Sequence, residues 1–241
     1  METMRLDKFL AKAGAGTRSD VKAIVRKGRV TVNGSLCQNA DIKINPDSDL
    51  ILMDGVRVTC QLFEYYMLYK PAGCVTAARD NLHPVVMDFI DSPKKKELFP
   101  VGRLDLDTEG LLLITNDGEL AHRLLSPSKH VPKRYYARVL GNVDSTDIKA
   151  FAQGIDIGDA KASLPASLTV LSSGEESCVE VVLREGRFHQ VKRMFHAVGK
   201  EVLYLKRISM GTLVLDEQLE KGEYRPLTRQ EILALKGEFH E

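Results

Sequence analysis

VGRLDLDTEGLLLITNDGELAHRLL, residues 101–125, decides how the rest of this chain is read. Gly110 to Thr115 is a short apolar run bounded by turn and charged residues, the pattern of a buried strand. Asn116-Asp117-Gly118 reads as a turn and Glu119 to Leu125 as a helix. Arg103, Asp105, Asp107 and Glu109 therefore crowd immediately before a core strand, and three acids with one Arg beside buried structure need a physical reason. Calcium is one candidate, because Asp105, Asp107, Glu109 and Gly110 copy positions 1, 3, 5 and 6 of an EF-hand loop. The copy fails at position 12, where Asn116 replaces the bidentate Glu, and the flanks read as strands. A carboxylate pair for glycoside cleavage and a solvated turn without function are the other readings.

Moving outward, the 241 residues suit a small domain joined to a larger one, and 44% hydrophobic against 28% charged residues leaves enough apolar material for a core. No apolar stretch approaches the roughly 20 residues that span a bilayer. The opening Met1 to Arg5 lacks the apolar segment of a secretory signal, so no membrane association is expected and the cytoplasm is. Cys37, Cys60, Cys74 and Cys178 are scattered without paired spacing, against a zinc site or disulfide framework, and no metal is expected. The net charge of +1 conceals two basic segments. Residues 1–34 hold eight Lys/Arg against three acids, and residues 183–207 hold seven against two. Clustered cations of this kind suit phosphate binding through counterion release, although solvated helix faces share the pattern.

In the first segment Leu6, Phe9, Leu10 and Ala13 recur at helical spacing before Gly14-Ala15-Gly16 breaks the helix. Ser19 is the expected N-cap of a second helix with Val21, Ile24 and Val25 inward, and Gly28 its left-handed close. Arg29 to Gly34 then alternates as a strand ending in an Asn-Gly hairpin signal. Arg5, Lys8, Arg18, Lys22, Arg26, Lys27 and Arg29 fall between the apolar positions, on the outer faces. The stretches RLDKFLAKAG and TRSDVKAIVRKGRVTVNG, with the tail to about residue 58, resemble the alpha-L RNA-binding domain named after the fourth small-subunit ribosomal protein. Too small to support a sizeable core, it should be an appendage. An RNA-binding appendage argues against a carbohydrate substrate.

Beyond a boundary expected near residues 59–64, Tyr65 to Tyr69 reads as a buried strand stopped by Lys70-Pro71-Ala72-Gly73. Asp91 to Lys96 reads as a solvated loop. Residues 135–140, 166–171 and 178–183 are β-rich, and 145–153 and 189–198 read as helices, an order that fits α+β better than a regular α/β repeat.

GRLDLDTEGLLLITNDG resembles the signature of the RsuA-like pseudouridine synthases. The resemblance makes Asp105 the catalytic carboxylate and gives Arg103 the position that stabilises a flipped-out nucleotide; Asp107, outside the catalytic position, is expected to be structural. Lys133-Arg134-Tyr135 matches the family's K-x-Y element, whose Tyr packs against the target base. EGRFHQVKRMF, residues 185–195, resembles the third family motif, in which a basic residue two after Gln190 pairs with the catalytic Asp. That residue is Lys192, where many relatives have Arg, which leaves Arg193 as an alternative partner. Leu183 falls where the family places an apolar residue under the site. Arg187, His189, Gln190 and Arg193 are expected on the RNA-binding surface. The HQVKRMF wording favours the branch acting on small-subunit rRNA.

The resemblance implies an alpha-L RNA-binding domain over residues 1–60 and a pseudouridine synthase catalytic domain over 61–241, with a mixed, largely antiparallel sheet flanked by helices. Isomerising uridine to pseudouridine retains the base, so no cofactor or second substrate is required. An ionised carboxylate, a dry pocket and a grip on the detached ring are. Burial alone would neutralise the carboxylate, and a nearby cation opposes that. The partner expected is ribosomal RNA, most directly the 16S RNA or an assembly intermediate, and the protein is expected to be a monomer. The competing class is a non-catalytic RNA-binding ribosome-assembly or stress factor, which explains the first domain but not the joint occurrence of Arg103, Asp105, Tyr135 and Lys192. An RNA glycosidase, the other enzyme class, would release free uracil.

Overall fold

The computed structural model describes residues 3–46, 48–59 and 63–237. The chain separates into two compact units, Met1–Phe63 and Glu64–Glu241. Cys60 and the boundary expected between residues 60 and 61 lie outside the described residues.

In the first unit, helices α1 (Leu6–Lys12) and α2 (Arg18–Arg26) precede the strands β1 (Val30–Val32), β2 (Ser35–Cys37), β3 (Ile51–Met53) and β4 (Val56–Arg57). The strands form one antiparallel sheet in the order β2-β1-β3-β4. Leu6, Phe9, Leu10, Val21 and Val25 are buried against Val30, Ile44 and Ile51. This periodic apolar face leaves the intervening cations outside. The cap of α2 differs from expectation. Thr17 holds it, accepting from the Asp20 amide while the Asp20 carboxylate accepts from the Thr17 amide. Ser19 stands inside the first turn, because only a residue three before an acid can close that reciprocal pair. Gly28 closes the helix at φ +69°, and Asn33 and Gly34, both at positive φ, turn the β1–β2 hairpin.

The second unit contains β5 (Tyr65–Lys70), β6 (Phe99–Val101), β7 (Glu109–Thr115), α3 (Gly118–Leu125), β8 (Lys133–Leu140), α4 (Ser145–Gln153), β9 (Ser167–Ser172), β10 (Glu176–Leu183), α5 (Gln190–Ala197), β11 (Glu201–Met210), β12 (Leu213–Val214), β13 (Tyr224–Pro226) and α6 (Arg229–Lys236). Its sheet runs β9-β10-β8-β11-β7-β5-β13, with β12 on β11 and β6 on β7. Every pairing is antiparallel except β7 with β11, so the fold is α+β on a mixed sheet. The alternation of β8 and β10 puts Tyr135, Ala137, Val139, Val179 and Val181 on one face, where Phe151 of α4 and Met194 and Phe195 of α5 cover them. All of β7 is buried, Glu109 included, so that acid belongs to the strand and not to the loop before it. Lys70 ends β5 as a fully buried strand residue, and Lys95–Glu97 form a 3-10 turn inside what reads as loop.

The parallel pairing of β7 with β11 explains one residue of the opening stretch. Gly110 sits opposite Arg207 at φ +105°, and a Cβ there would stand 2.2 Å from the Arg207 carbonyl oxygen. Only glycine lets the two backbones approach so closely. Cys37 and Cys74 are buried and Cys178 half-buried, all with free thiols. No described helix is long and apolar enough to cross a membrane.

Candidate active site

Asp105 lies on the loop from β6 to β7, in a turn closed by the Thr108 amide donating to the Asp105 carbonyl at 3.1 Å. That turn is held from beneath. The Lys70 ammonium, wholly buried, donates to the carbonyls of Pro71 (3.0 Å), Asp105 (3.0 Å) and Thr108 (2.8 Å). Burial pushes the Lys70 amine below its ordinary value, against the pull of Asp107, Asp105 and Glu109 nearby. The Thr76 hydroxyl adds a second clamp, donating to the Leu104 carbonyl (2.9 Å) and accepting from its amide (3.1 Å). The loop that carries Asp105 is thus built into the core at its backbone, leaving the carboxylate one-quarter exposed.

An imidazole and an ammonium approach that carboxylate from the start of α5. His189 Nε2 is 3.6 Å from Oδ1 and Lys192 Nζ 3.6 Å from Oδ2. Both distances are longer than a hydrogen bond. Lys192 hydrogen-bonds instead to both oxygens of Asp107, at 2.6 and 2.8 Å. Burial would raise the Asp107 carboxyl, but this ammonium more than offsets it and holds Asp107 below the usual range. Lys192 therefore bridges the two acids, standing beside Asp105 as expected while hydrogen-bonded to Asp107. Arg193 is excluded as the partner: it donates to Asp159 at 2.6 Å and to the carbonyls of Phe188 and Ile157. Glu109 faces away, accepting from Tyr204 (2.7 Å) and Lys221 (2.9 Å), so the three acids do not converge on one point. Among the described residues no cluster of His, Cys, Asp and Glu is arranged to hold a metal ion.

Beside Asp105 opens a cleft of about 740 Å³, within the range of small-molecule sites. Leu104, Tyr135, Leu183, Val191 and Leu205 give it apolar walls, and Tyr135 is 9% exposed. Arg103 stands at the cleft, exposed and with no ion pair or hydrogen bond among the described residues. Phe188, 72% exposed, stacks on His189 at 3.8 Å between centroids and 16° between planes. His189 itself adopts φ +47°, an uncommon conformation for a side chain with a Cβ.

The structure corrects two further expectations. Arg187 lines the cleft, yet its guanidinium is occupied by Glu185 (3.0 Å) and the carbonyls of Lys161 (2.6 Å) and Ala162 (2.9 Å). Gln190 is buried, accepting from the Arg187 amide and donating to Glu185 at 2.7 Å. With Arg193, these residues brace the turn into α5. Lys70, Phe188 and the buried Arg207 have no role in the sequence pattern, and Lys133 enters there only as the first residue of the K-x-Y element. A lysine at the end of an apolar strand was the one available signal, and it was read as a stop.

On the first unit, Lys8, Arg18, Arg26 and Lys27 are exposed and Lys22 half-exposed. A depression of about 260 Å³ is lined by Arg5, Asp7, Lys8, Arg18, Ser19 and Lys22. Arg5 is paired with Asp7 and Asp41, and Arg29 with Asp54, so these two arginines are already partly neutralised.

The profile of the RNA pseudouridylate synthase family matches residues 64–197, and that of the S4 domain residues 4–50. An uncharacterized RNA pseudouridine synthase of Bacillus subtilis, YtzG, is 42% identical over 95% of this chain and 97% of its own length. Ribosomal small subunit pseudouridine synthase A of Haemophilus influenzae is 40% identical over 95% and 98%, and that of Escherichia coli K12 41% identical over 96% and 100%. A crystal structure of a pseudouridylate synthase superposes with a TM-score of 0.69 at 40% identity, covering 96% of this chain and 99% of that one. With its fold, its cleft and these matches in agreement, this chain belongs to the RNA pseudouridylate synthase family and carries an S4 domain ahead of the synthase domain.

Proposed function

We propose that this protein isomerises a specific uridine of ribosomal RNA, in the 16S RNA of the small subunit, to pseudouridine, with Asp105 as the reacting carboxylate and no cofactor. The observation that carries the reading is the position of Asp105: a carboxylate on a core-anchored turn, flanked by His189 and Lys192 at 3.6 Å and opening onto a cleft walled by Tyr135 and Leu183. The Lys192 ammonium favours the ionised form that the reaction needs, against the burial that disfavours it. The reaction breaks the bond from C1′ to N1 of uracil and forms one from C1′ to C5, and Asp105 acts on the sugar as nucleophile or as base. Because Lys70 and Thr76 fix the loop backbone, little reorganisation is needed at the moment of reaction.

Reaching Asp105 requires the uridine to leave its stack, at a cost of a few kcal/mol. Stacking on Tyr135 returns about 1–3 kcal/mol. Arg103, at the cleft and without a partner among the described residues, is available to hold the extruded nucleotide. Lys8, Arg18, Arg26 and Lys27 supply phosphate contacts from the S4 unit, with Arg5, Lys22 and Arg29 contributing less because acids already stand beside them. The small-subunit substrate is supported by the HQVKRMF segment and by relatives at about 40% identity that are named for that subunit. The same reading makes the protein a cytoplasmic monomer.

The test is carbodiimide and primer-extension mapping of pseudouridine in both rRNAs from cells lacking the protein. One stop should vanish from the small-subunit RNA and return with the wild type but not with Asp105→Asn. Persistence of every stop would leave a protein that only binds RNA, or one acting on another RNA. Free uracil in the supernatant would indicate a glycosidase.

A further inference from the structure

Two cations of the cleft have no carboxylate to answer them among the described residues. Arg207, 2% exposed, donates from Nε to the Leu111 carbonyl at 2.8 Å, while its Nη2 is buried without an acceptor among the described residues. Lys133, 7% exposed, donates to the Val131 carbonyl at 3.1 Å, which occupies one of three N–H groups. The two stand together. Tyr135 of β8 is paired with Arg207 of β11, and Lys133 lies two residues from Tyr135 on the same face. Burial and the neighbouring guanidinium both push the Lys133 amine below its ordinary value. Burying two like charges without a counter-charge is unfavourable, and a site that maintains them suits an anion that arrives with the ligand.

We infer that Lys133 and Arg207 form an anion-binding pair on the cleft floor that receives the carbonyl oxygens of the uracil ring while the ring is detached from ribose. The inference rests on the isomerisation proposed above. When the C1′–N1 bond breaks, its electron pair leaves with the base, and the negative charge spreads over N1, O2 and O4. The electrons return to C1′ when C5 bonds to it, the C5 proton departs and N1 takes up a proton, so the base keeps its composition. Donors fixed where this charge develops stabilise it without reorganising. A strongly hydrated phosphodiester is poorly matched to a floor shared with Leu104, Tyr135, Leu183 and Leu205, whereas a flat ring with anionic oxygens at its edge fits.

The probe is 5-nitrouracil, ionised at neutral pH, compared with neutral uracil by equilibrium dialysis against the full-length protein. Wild type should bind the nitrouracil at least about tenfold more tightly, the effect of one charge-assisted hydrogen bond. That preference should vanish in Lys133→Met, which should weaken uracil less than nitrouracil, and should fade in wild type as acid neutralises the probe. The wild-type pH arm needs no variant, so misfolding of Lys133→Met cannot mask the answer. Equal binding of the two bases, no measurable binding, or a preference that survives Lys133→Met would overturn the inference. Displacement of the probe by an equal concentration of inorganic phosphate would assign the pair to a phosphodiester instead. An Asp105→Asn protein that still isomerises uridine would sink the reaction assignment without touching this preference, so the two failures are distinguishable.

Discussion

Replacing Lys192 by Met removes an ammonium 3.6 Å from Asp105 and 2.6 and 2.8 Å from the oxygens of Asp107. At 3.6 Å and an effective dielectric of about 20, the attraction to Asp105 is roughly 4–5 kcal/mol. A quarter of each side chain is exposed and Asp107 shares the charge, so about half of that survives solvent screening. Carried in full into the transition state, about 2 kcal/mol corresponds to roughly a 30-fold loss of rate. The loss should be larger if the two acids, no longer bridged, repel. The assay is single-turnover conversion of uridine in small-subunit rRNA by Lys192→Met, Lys192→Arg and Lys149→Met. Lys149 is an exposed control on α4. Lys192→Arg, which keeps the charge, should stay close to wild type. A Lys192→Met rate within about threefold of wild type, or a loss matched by Lys149→Met, would refute the assignment of this cation to Asp105.

Gly110→Ala should lower stability by about 2–4 kcal/mol or prevent folding, because the new Cβ meets the Arg207 carbonyl and φ is positive; a thermal melt indistinguishable from wild type would contradict this. Lys70→Met leaves the carbonyls of Pro71, Asp105 and Thr108 without their donor, at a cost of about 1–3 kcal/mol each before relaxation. Its conversion rate should fall while RNA binding, followed by filter retention, persists; unchanged turnover would separate the clamp from catalysis. Glu231 titrates below its ordinary value because Arg225 donates to both its oxygens, against the effect of burial. A lowered folded value means this stabilisation is complete above the ordinary glutamate pKa of 4.5 and lost as pH falls through the lower folded value. Glu231→Gln should therefore be less stable at neutral pH and lose less on acidification, and parallel acid limbs in denaturant titrations of both proteins would reject it.

Much of this molecule follows from local pattern. The alternation in residues 133–140 and 176–183 and the apolar run 110–115 specify strands whichever partner they find. The helical spacing of Leu6, Phe9 and Leu10 likewise specifies its face. Motif wording carried Asp105, Tyr135 and Lys192 to one cleft or its carboxylate, because the family signature encodes that arrangement. Local pattern failed where two residues competed for one role over a short distance. Ser19 and Thr17 are both good caps, and the position of Asp20 chose between them.

Tertiary structure decided where each charged side chain points. Lys192 and Arg193 are adjacent and both basic, yet one reaches Asp105 and Asp107 while the other is taken by Asp159, thirty-four residues away. Arg187 and Gln190 look like a binding surface in sequence and brace a turn in the fold, since Glu185 and two carbonyls from residues 161 and 162 are within reach. Lys70 reads as a surface stop until the loop bearing Asp105 folds over it and supplies carbonyls. Local sequence sets backbone conformation through steric and periodic constraints that act over a few residues. The direction and protonation of a charged group depend on dielectric and partners brought together from distant parts of the chain, and those exist only once the sheet has closed.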